Sequence, residues 1–108
     1  MDRVFVALDE AQRIVGFIAF GEGWVNHLYV LPEFQRLGIG GRLLEKAKQE
    51  WPSLRLWTFE RNDGALRFYL RHGFSVVKRT DGRENEEKEP DILLQWGPIA
   101  PAWSAMRK

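Results

Sequence analysis

Residues 28 to 44 run Leu-Tyr-Val-Leu-Pro-Glu-Phe-Gln-Arg-Leu-Gly-Ile-Gly-Gly-Arg-Leu-Leu, and no other stretch restricts this chain as strongly. An apolar strand ends at Pro32, a turn carrying Arg36 follows, and Gly38, Gly40 and Gly41 open a helix. Glycines at a helix start let the backbone approach a ligand closely. The first helical turn also leaves N–H groups unpaired and presents the positive end of the dipole. Together these features predict an anion site, suited to a phosphate or diphosphate.

Two common phosphate loops do not fit. No Lys-Ser/Thr follows the glycines to hold a terminal phosphate and magnesium, so the P-loop reading fails. Leu43 stands where a dinucleotide fingerprint needs its third glycine, and no acidic residue follows at the right distance. A second motif lies further on, from Asn62 to Phe74: Asn-Asp-Gly-Ala-Leu-Arg-Phe-Tyr-Leu-Arg-His-Gly-Phe. Asn62 or Asp63 is a helix cap, and Ala65, Phe68, Tyr69 and His72 share one helical face. Gly73 supplies a left-handed stop before Phe74 opens a strand.

Gln35-Arg36-Leu37-Gly38-Ile39-Gly40 resembles the acetyl-coenzyme A loop of the GNAT family of N-acetyltransferases, Q/R-x-x-G-x-G/A. Val30-Leu31-Pro32 is similar to that family's strand end, and the second motif resembles its signature N-x-x-A-x-x-F-Y-x-x-x-G-F. The two occur in the family's order and cover the middle half of the chain.

The resemblance implies acetyl-CoA as cosubstrate, with no metal, and an unidentified primary amine as acceptor. Leu28, Tyr29 and Val30 would line the pantetheine arm, and a backbone N–H at Val30 or Leu31 would polarise the acetyl carbonyl. Pro32 has no N–H to offer. Gln35, Arg36, Leu37, Gly38, Ile39, Gly40, Gly41 and Arg42 would surround the phosphates. Asn62, Ala65, Phe68 and Tyr69 would line the coenzyme from the second helix. Tyr69 falls on the family's general-acid position. The base is less defined: Glu22 shares strand parity with Trp24, Asn26, Leu28 and Val30, whereas His27 points to the opposite face as a packed histidine. Glu60 is a third candidate. Arg67 and Arg71 belong to an exposed helix face.

At 108 residues the chain makes one domain, residues 1–97, with a tail at 98–108 that stays loose unless Trp103 docks. A net charge of +1 argues against a nucleic-acid binder. No apolar run is long enough to span a membrane and the N-terminus is not a signal peptide, so the default compartment is the cytoplasm. The absence of cysteine rules out disulfides, zinc-thiolate sites and a cysteine acyl-enzyme within this sequence.

Apolar alternation and turn residues predict strands at Val4–Leu8, Ile14–Phe20, Trp24–Val30, Leu54–Phe59, Phe74–Val77 and Asp91–Trp96. Helices fall at Gly40–Glu50 and Asp63–His72. Lys78 to Pro90 is a charged, solvated hairpin loop. This order makes an α/β fold: a mixed, mostly antiparallel sheet with helices packed on its faces. The resemblance implies a further strand and two helices ahead of the first hairpin, which help build the acceptor pocket and are missing from this sequence. The leading expectation is an N-acetyltransferase in which the amine attacks directly in a ternary complex. The alternative is a non-catalytic coenzyme-binding or interaction module. Dimerisation through an exposed sheet edge is a further expectation.

Overall fold

The computed structural model describes residues 2–98. The tail expectation for 98–108, Trp103 included, lies outside the described residues except for Pro98. Six strands form one sheet: β1 (Arg3–Leu8), β2 (Ile14–Gly21), β3 (Trp24–Val30), β4 (Leu54–Phe59), β5 (Ser75–Arg79) and β6 (Asp91–Trp96). Helix α1 spans Ile39–Glu50 and α2 spans Asp63–Arg71. The strand order is β1-β2-β3-β4-β6-β5. Of the neighbouring strands only β3 and β4 pair in parallel; β4 and β5 are also joined through a helix, but β6 lies between them and runs antiparallel to both.

One hydrophobic cluster ties the elements together. Ile18 and Phe20 of β2, Leu54 and Leu56 of β4, and Ile92 and Leu94 of β6 pack beneath Leu43, Leu44 and Ala47 of α1 and Tyr69 of α2. Both helices therefore cover the same face of the sheet. The other face carries exposed apolar side chains, among them Val4, Val6 and Leu8 of β1, Tyr29 of β3 and Trp57 of β4. Solvent-facing sheet surfaces are normally polar, so this face has the composition of a covered one.

The β2–β3 hairpin turns through Glu22 and Gly23, whose φ angles of 55° and 82° are those of a tight two-residue turn. Its ladder contains a bulge. Ala19 faces His27 but Phe20 faces Val25, leaving Asn26 as an extra residue in β3. The bulge reverses the face of everything before it. Val25 is buried in the core, and Leu28 and Val30 pack against the same core, whereas Trp24 belongs to the opposite side.

β3 and β4 pair at a single position, Trp24 with Arg55, backed by the Arg55 N–H donating to the Gly23 carbonyl at 2.8 Å. Beyond that point the two strands diverge. Strand β5 runs two residues further than the sequence pattern indicates and includes a bulge between Val76 and Lys78. The loop after it is structured. Thr80 Oγ1 bonds to Asp91 Oδ1, while Asn85 donates to the Glu89 carbonyl at 2.7 Å and to Asp91 Oδ2 at 3.2 Å.

Candidate active site

A cleft of about 750 Å³ opens beside the end of β3, between the start of α1 and α2. Its floor is Leu28 and Val30, one wall is Gln35, Arg36, Gly38, Gly40 and Gly41, and the other is Asn62, Ala65, Phe68 and Tyr69. Each wall has a local reason to exist. A one-turn 3-10 helix at Pro32–Phe34 ends β3, and the Gln35 carboxamide donates to the Val30 carbonyl at 2.9 Å, pinning the loop to the strand. Arg36 (φ 67°) and Gly38 (φ 84°) both adopt left-handed backbone, which swings the chain into α1.

Gly38 caps α1 without any side-chain oxygen. The first helical bond runs from the Arg42 N–H to the Gly38 carbonyl at 3.1 Å. Helix geometry therefore leaves the N–H groups of Ile39, Gly40 and Gly41 without intrahelical acceptors. Gly40 and Gly41 have a second purpose that the sequence pattern alone does not reveal. A Cβ on Gly40 would come within 3.0 Å of the Phe68 ring, and one on Gly41 within 2.7 Å of the His72 ring. These glycines let α2 lie against the first turn of α1, so the cleft has one wall from each helix.

Backbone groups on the cleft side of β3 follow from the ladder. The Leu31 N–H donates to the Val15 carbonyl at 2.9 Å, so it is unavailable for the acetyl carbonyl; this corrects one of the two donors expected from the sequence. Antiparallel alternation then pairs Tyr29 with Phe17 and directs the backbone groups of Leu28 and Val30 toward β4. The Val30 carbonyl is taken by Gln35, which leaves the Val30 N–H facing the divergence.

Tyr69 sits at the back of the cleft. Phe68 and Phe74 meet its ring edge-on, at centroid distances of 5.2 and 5.4 Å. Burial pushes its phenol up to about 12, so it holds its proton throughout the neutral range. The ring also borders a second cavity of about 250 Å³, lined by Val25, Asn26, His27, Leu28, Leu56, Trp57, Thr58 and Asn62. Tyr69 therefore stands between two openings. Asn62 borders both, and its Oδ1 caps α2 by accepting from the Ala65 N–H at 3.1 Å.

Several expected contacts are not brought together. Tyr29 and Leu37 are exposed and Ile39 packs toward the core; with the exposed Arg42, none of their side chains lines the cleft. Glu22 occupies the hairpin turn and lines neither cavity. Its parity argument fails because the Asn26 bulge inverts the alternation between Glu22 and Leu28. Glu60 also lies outside both cavities, 3.8 Å from Arg79. His27 is exposed rather than packed and borders the second cavity. Arg67, Arg71 and His72 line the larger cleft. His72 shares the Ala65–Phe68 side that the helical spacing gives it, while Arg67 and Arg71 are exposed, as the sequence indicates, and border the cleft from there.

A mixed sheet that splits between its parallel pair of strands beside a glycine-started helix has the fold of an acetyltransferase. This chain belongs to the GNAT acetyltransferase family: a family model described as an acetyltransferase (GNAT) domain matches residues 1–76. It is 29% identical over 89 residues to the peptidyl-lysine N-acetyltransferase YiaC of Escherichia coli, covering 82% of this chain and 60% of that one. It is 31% identical over 78 residues to the peptidyl-lysine N-acetyltransferase YjaB of the same organism, covering 72% of this chain and 53% of that one. The chain thus spans a little over half the length of these relatives. The solution structure of apo YjaB superposes with a TM-score of 0.78 at 28% identity, over 88% of this chain and 65% of that one. A GNAT acetyltransferase from Elizabethkingia anophelis with acetyl-CoA bound gives 0.76 at 20% identity, over 90% and 76%, a likeness of fold.

Proposed function

We propose that this chain is an acetyl-CoA-dependent N-acetyltransferase that passes the acetyl group to a primary amine by direct attack. The observation that carries the reading is the junction of three features in one cleft: unpaired amides at Ile39–Gly41, the free edge of β3, and the Tyr69 hydroxyl. Acetyl-CoA supplies an acyl group activated as a thioester. The cleft suits it because the diphosphate needs close backbone donors, and the pantetheine arm needs an open strand edge.

In this reading the N–H groups of Ile39, Gly40 and Gly41 hold the diphosphate and Arg36 lies beside it. Gln35 keeps the loop in place, and Leu28 and Ala65 flank the arm. The Val30 N–H donates to the thioester oxygen, where negative charge develops during attack. Asn62 Nδ2 remains able to donate to an amide of the arm while its oxygen caps α2.

Tyr69 protonates the departing sulfur. The burial that raises its pKa also raises that of a thiolate beside it, which keeps the proton transfer balanced. The amine must lose a proton before it attacks, since an unperturbed lysine titrates near 10.4. Among the three candidate bases, His27 shares a cavity with Tyr69, so we assign that proton to His27.

The relatives named peptidyl-lysine N-acetyltransferases make a lysine-containing peptide the first acceptor to test. Thiol release from acetyl-CoA is measured with and without that peptide. Tyr69→Phe lowers kcat about 100-fold or more, the usual contribution of a positioned acid, while the Kd for coenzyme A stays within about twofold. A non-catalytic module releases no thiol before or after the substitution.

A further inference from the structure

The cations around the cleft are unevenly placed. Arg36, Arg67 and Arg71 line it but are exposed, and Arg42, the arginine of the first turn of α1, faces away from it. His72 and Phe68 lie against the helix start, His72 over Gly41 and Phe68 over Gly40. Gly41 is a glycine at that point because a Cβ would stand 2.7 Å from His72 Cε1, and 3.4 and 3.5 Å from its two ring nitrogens. The ring is held from the other side by Phe68, with centroids 4.5 Å apart. The chain just beyond it is tied to α1 by Lys48 Nζ, which accepts no proton but donates to the His72 carbonyl at 2.8 Å.

We propose that His72 is a further coenzyme-binding residue: its imidazole, seated on Gly41 at the rim of the diphosphate site, takes up a proton as the coenzyme binds and places a cation beside the phosphates. This rests on the reading that the amides of residues 39–41 hold the diphosphate. The proton comes from solvent, and no bond in the coenzyme changes.

The electrostatics of the free protein favour such a response. Partial burial, then Lys48 from α1 and Arg71 from α2, hold His72 below its ordinary value, against a smaller opposing pull from Glu45 of α1. His72 is therefore neutral at pH 7 in the free chain. A diphosphate introduces negative charge well within a Debye length and reverses the balance. Linkage then requires that lower pH strengthens coenzyme binding, as coenzyme strengthens protonation. The result is a site whose affinity follows pH through a side chain outside the glycine motif.

The chain contains two histidines, so their Cε1 protons are separable by proton NMR, with His72→Gln and His27→Gln assigning the signals. The probe is coenzyme A itself. At saturation the midpoint of His72 moves up by about half a pH unit or more, equivalent to an about threefold gain in affinity for the protonated form. His27 moves less. Calorimetry agrees when the affinity of the wild type relative to His72→Gln is about threefold greater at pH 5.5 than at pH 8. The 3′-phosphate of coenzyme A titrates near 6, but identically against both proteins, so it cancels in the ratio. Coenzyme that binds without moving the His72 midpoint, or moves it down, overturns this proposal and leaves the coenzyme site intact. Absence of any binding overturns the coenzyme reading, and this proposal with it.

Discussion

Tyr69 and His72 are one helical step short of a turn apart on α2, yet burial sets them opposite tasks. The phenol lies deep among Phe68, Phe74 and the core, which keeps it protonated. The imidazole lies at the rim, where the same desolvation keeps it neutral. A base whose folded-state pKa is depressed stabilises the fold above its unfolded value, near 6.5, and that stability is lost as pH falls through the folded value. The melting temperature of the free wild type should therefore drop relative to that of His72→Gln as pH goes from 7.5 to 5, measured by thermal unfolding. A constant difference across that range would contradict the neutral state assigned to His72. Tyr69, Gln35, Gly38 and Asn62 were all legible from the sequence because each serves a local structural need at a fixed motif position. The second role of Gly40 and Gly41 was not legible, since the rings they accommodate arrive from about 30 residues away in the chain.

At the level of elements, periodicity located every described strand and both α-helices to within two residues at either end, but not the 3-10 turn at Pro32–Phe34. Helices Ile39–Glu50 and Asp63–Arg71 and strands such as Trp24–Val30 have strong apolar repeats and clear stops at Pro52 and Gly73. What periodicity missed was the bulge at Asn26. A single extra residue inverts all side-chain directions before it, and nothing in Trp-Val-Asn-His-Leu marks which residue is extra. That inversion removes the parity argument for Glu22, while His27, which follows the bulge, borders the second cavity. The charged loop after β5 is the solvated hairpin loop that the sequence indicates, joining β5 to β6, but Arg-Glu-Asn-Glu-Glu does not mark Asn85 as a residue that ties it together. Asn85 makes three bonds there, to the Glu89 carbonyl, Asp91 Oδ2 and the Glu89 N–H. Asn85→Ala should cost about 1–2 kcal/mol in denaturant unfolding, from the loss of partly buried hydrogen bonds. Affinity for coenzyme A should not change, since the loop lies at the far edge of the sheet from α1.

On the scale of the molecule, both helices pack on one face of the sheet, and the opposite face exposes several apolar side chains beside the Arg55–Gln95 pair. The mixed sheet follows from the strand-helix-strand crossover that the glycine motif announces; the insertion of β6 between β4 and β5 does not. The sidedness of the helices did not follow, because two amphipathic helices pack equally well on one face or on two until their mutual contact is known. The crossover also brings the helix start, the end of β3 and the tyrosine to one cleft, and the use of that cleft by the coenzyme is the central claim. An amide-resolved NMR titration tests it most directly, comparing coenzyme A with pantetheine, which lacks the diphosphate. Coenzyme A should shift the backbone amides of Gly38 to Gly41 together with Leu28 and Val30, whereas pantetheine should shift Leu28 and Val30 alone. If coenzyme A binds while the amides of residues 38–41 stay unmoved, the helix start is not the phosphate site and the account is wrong.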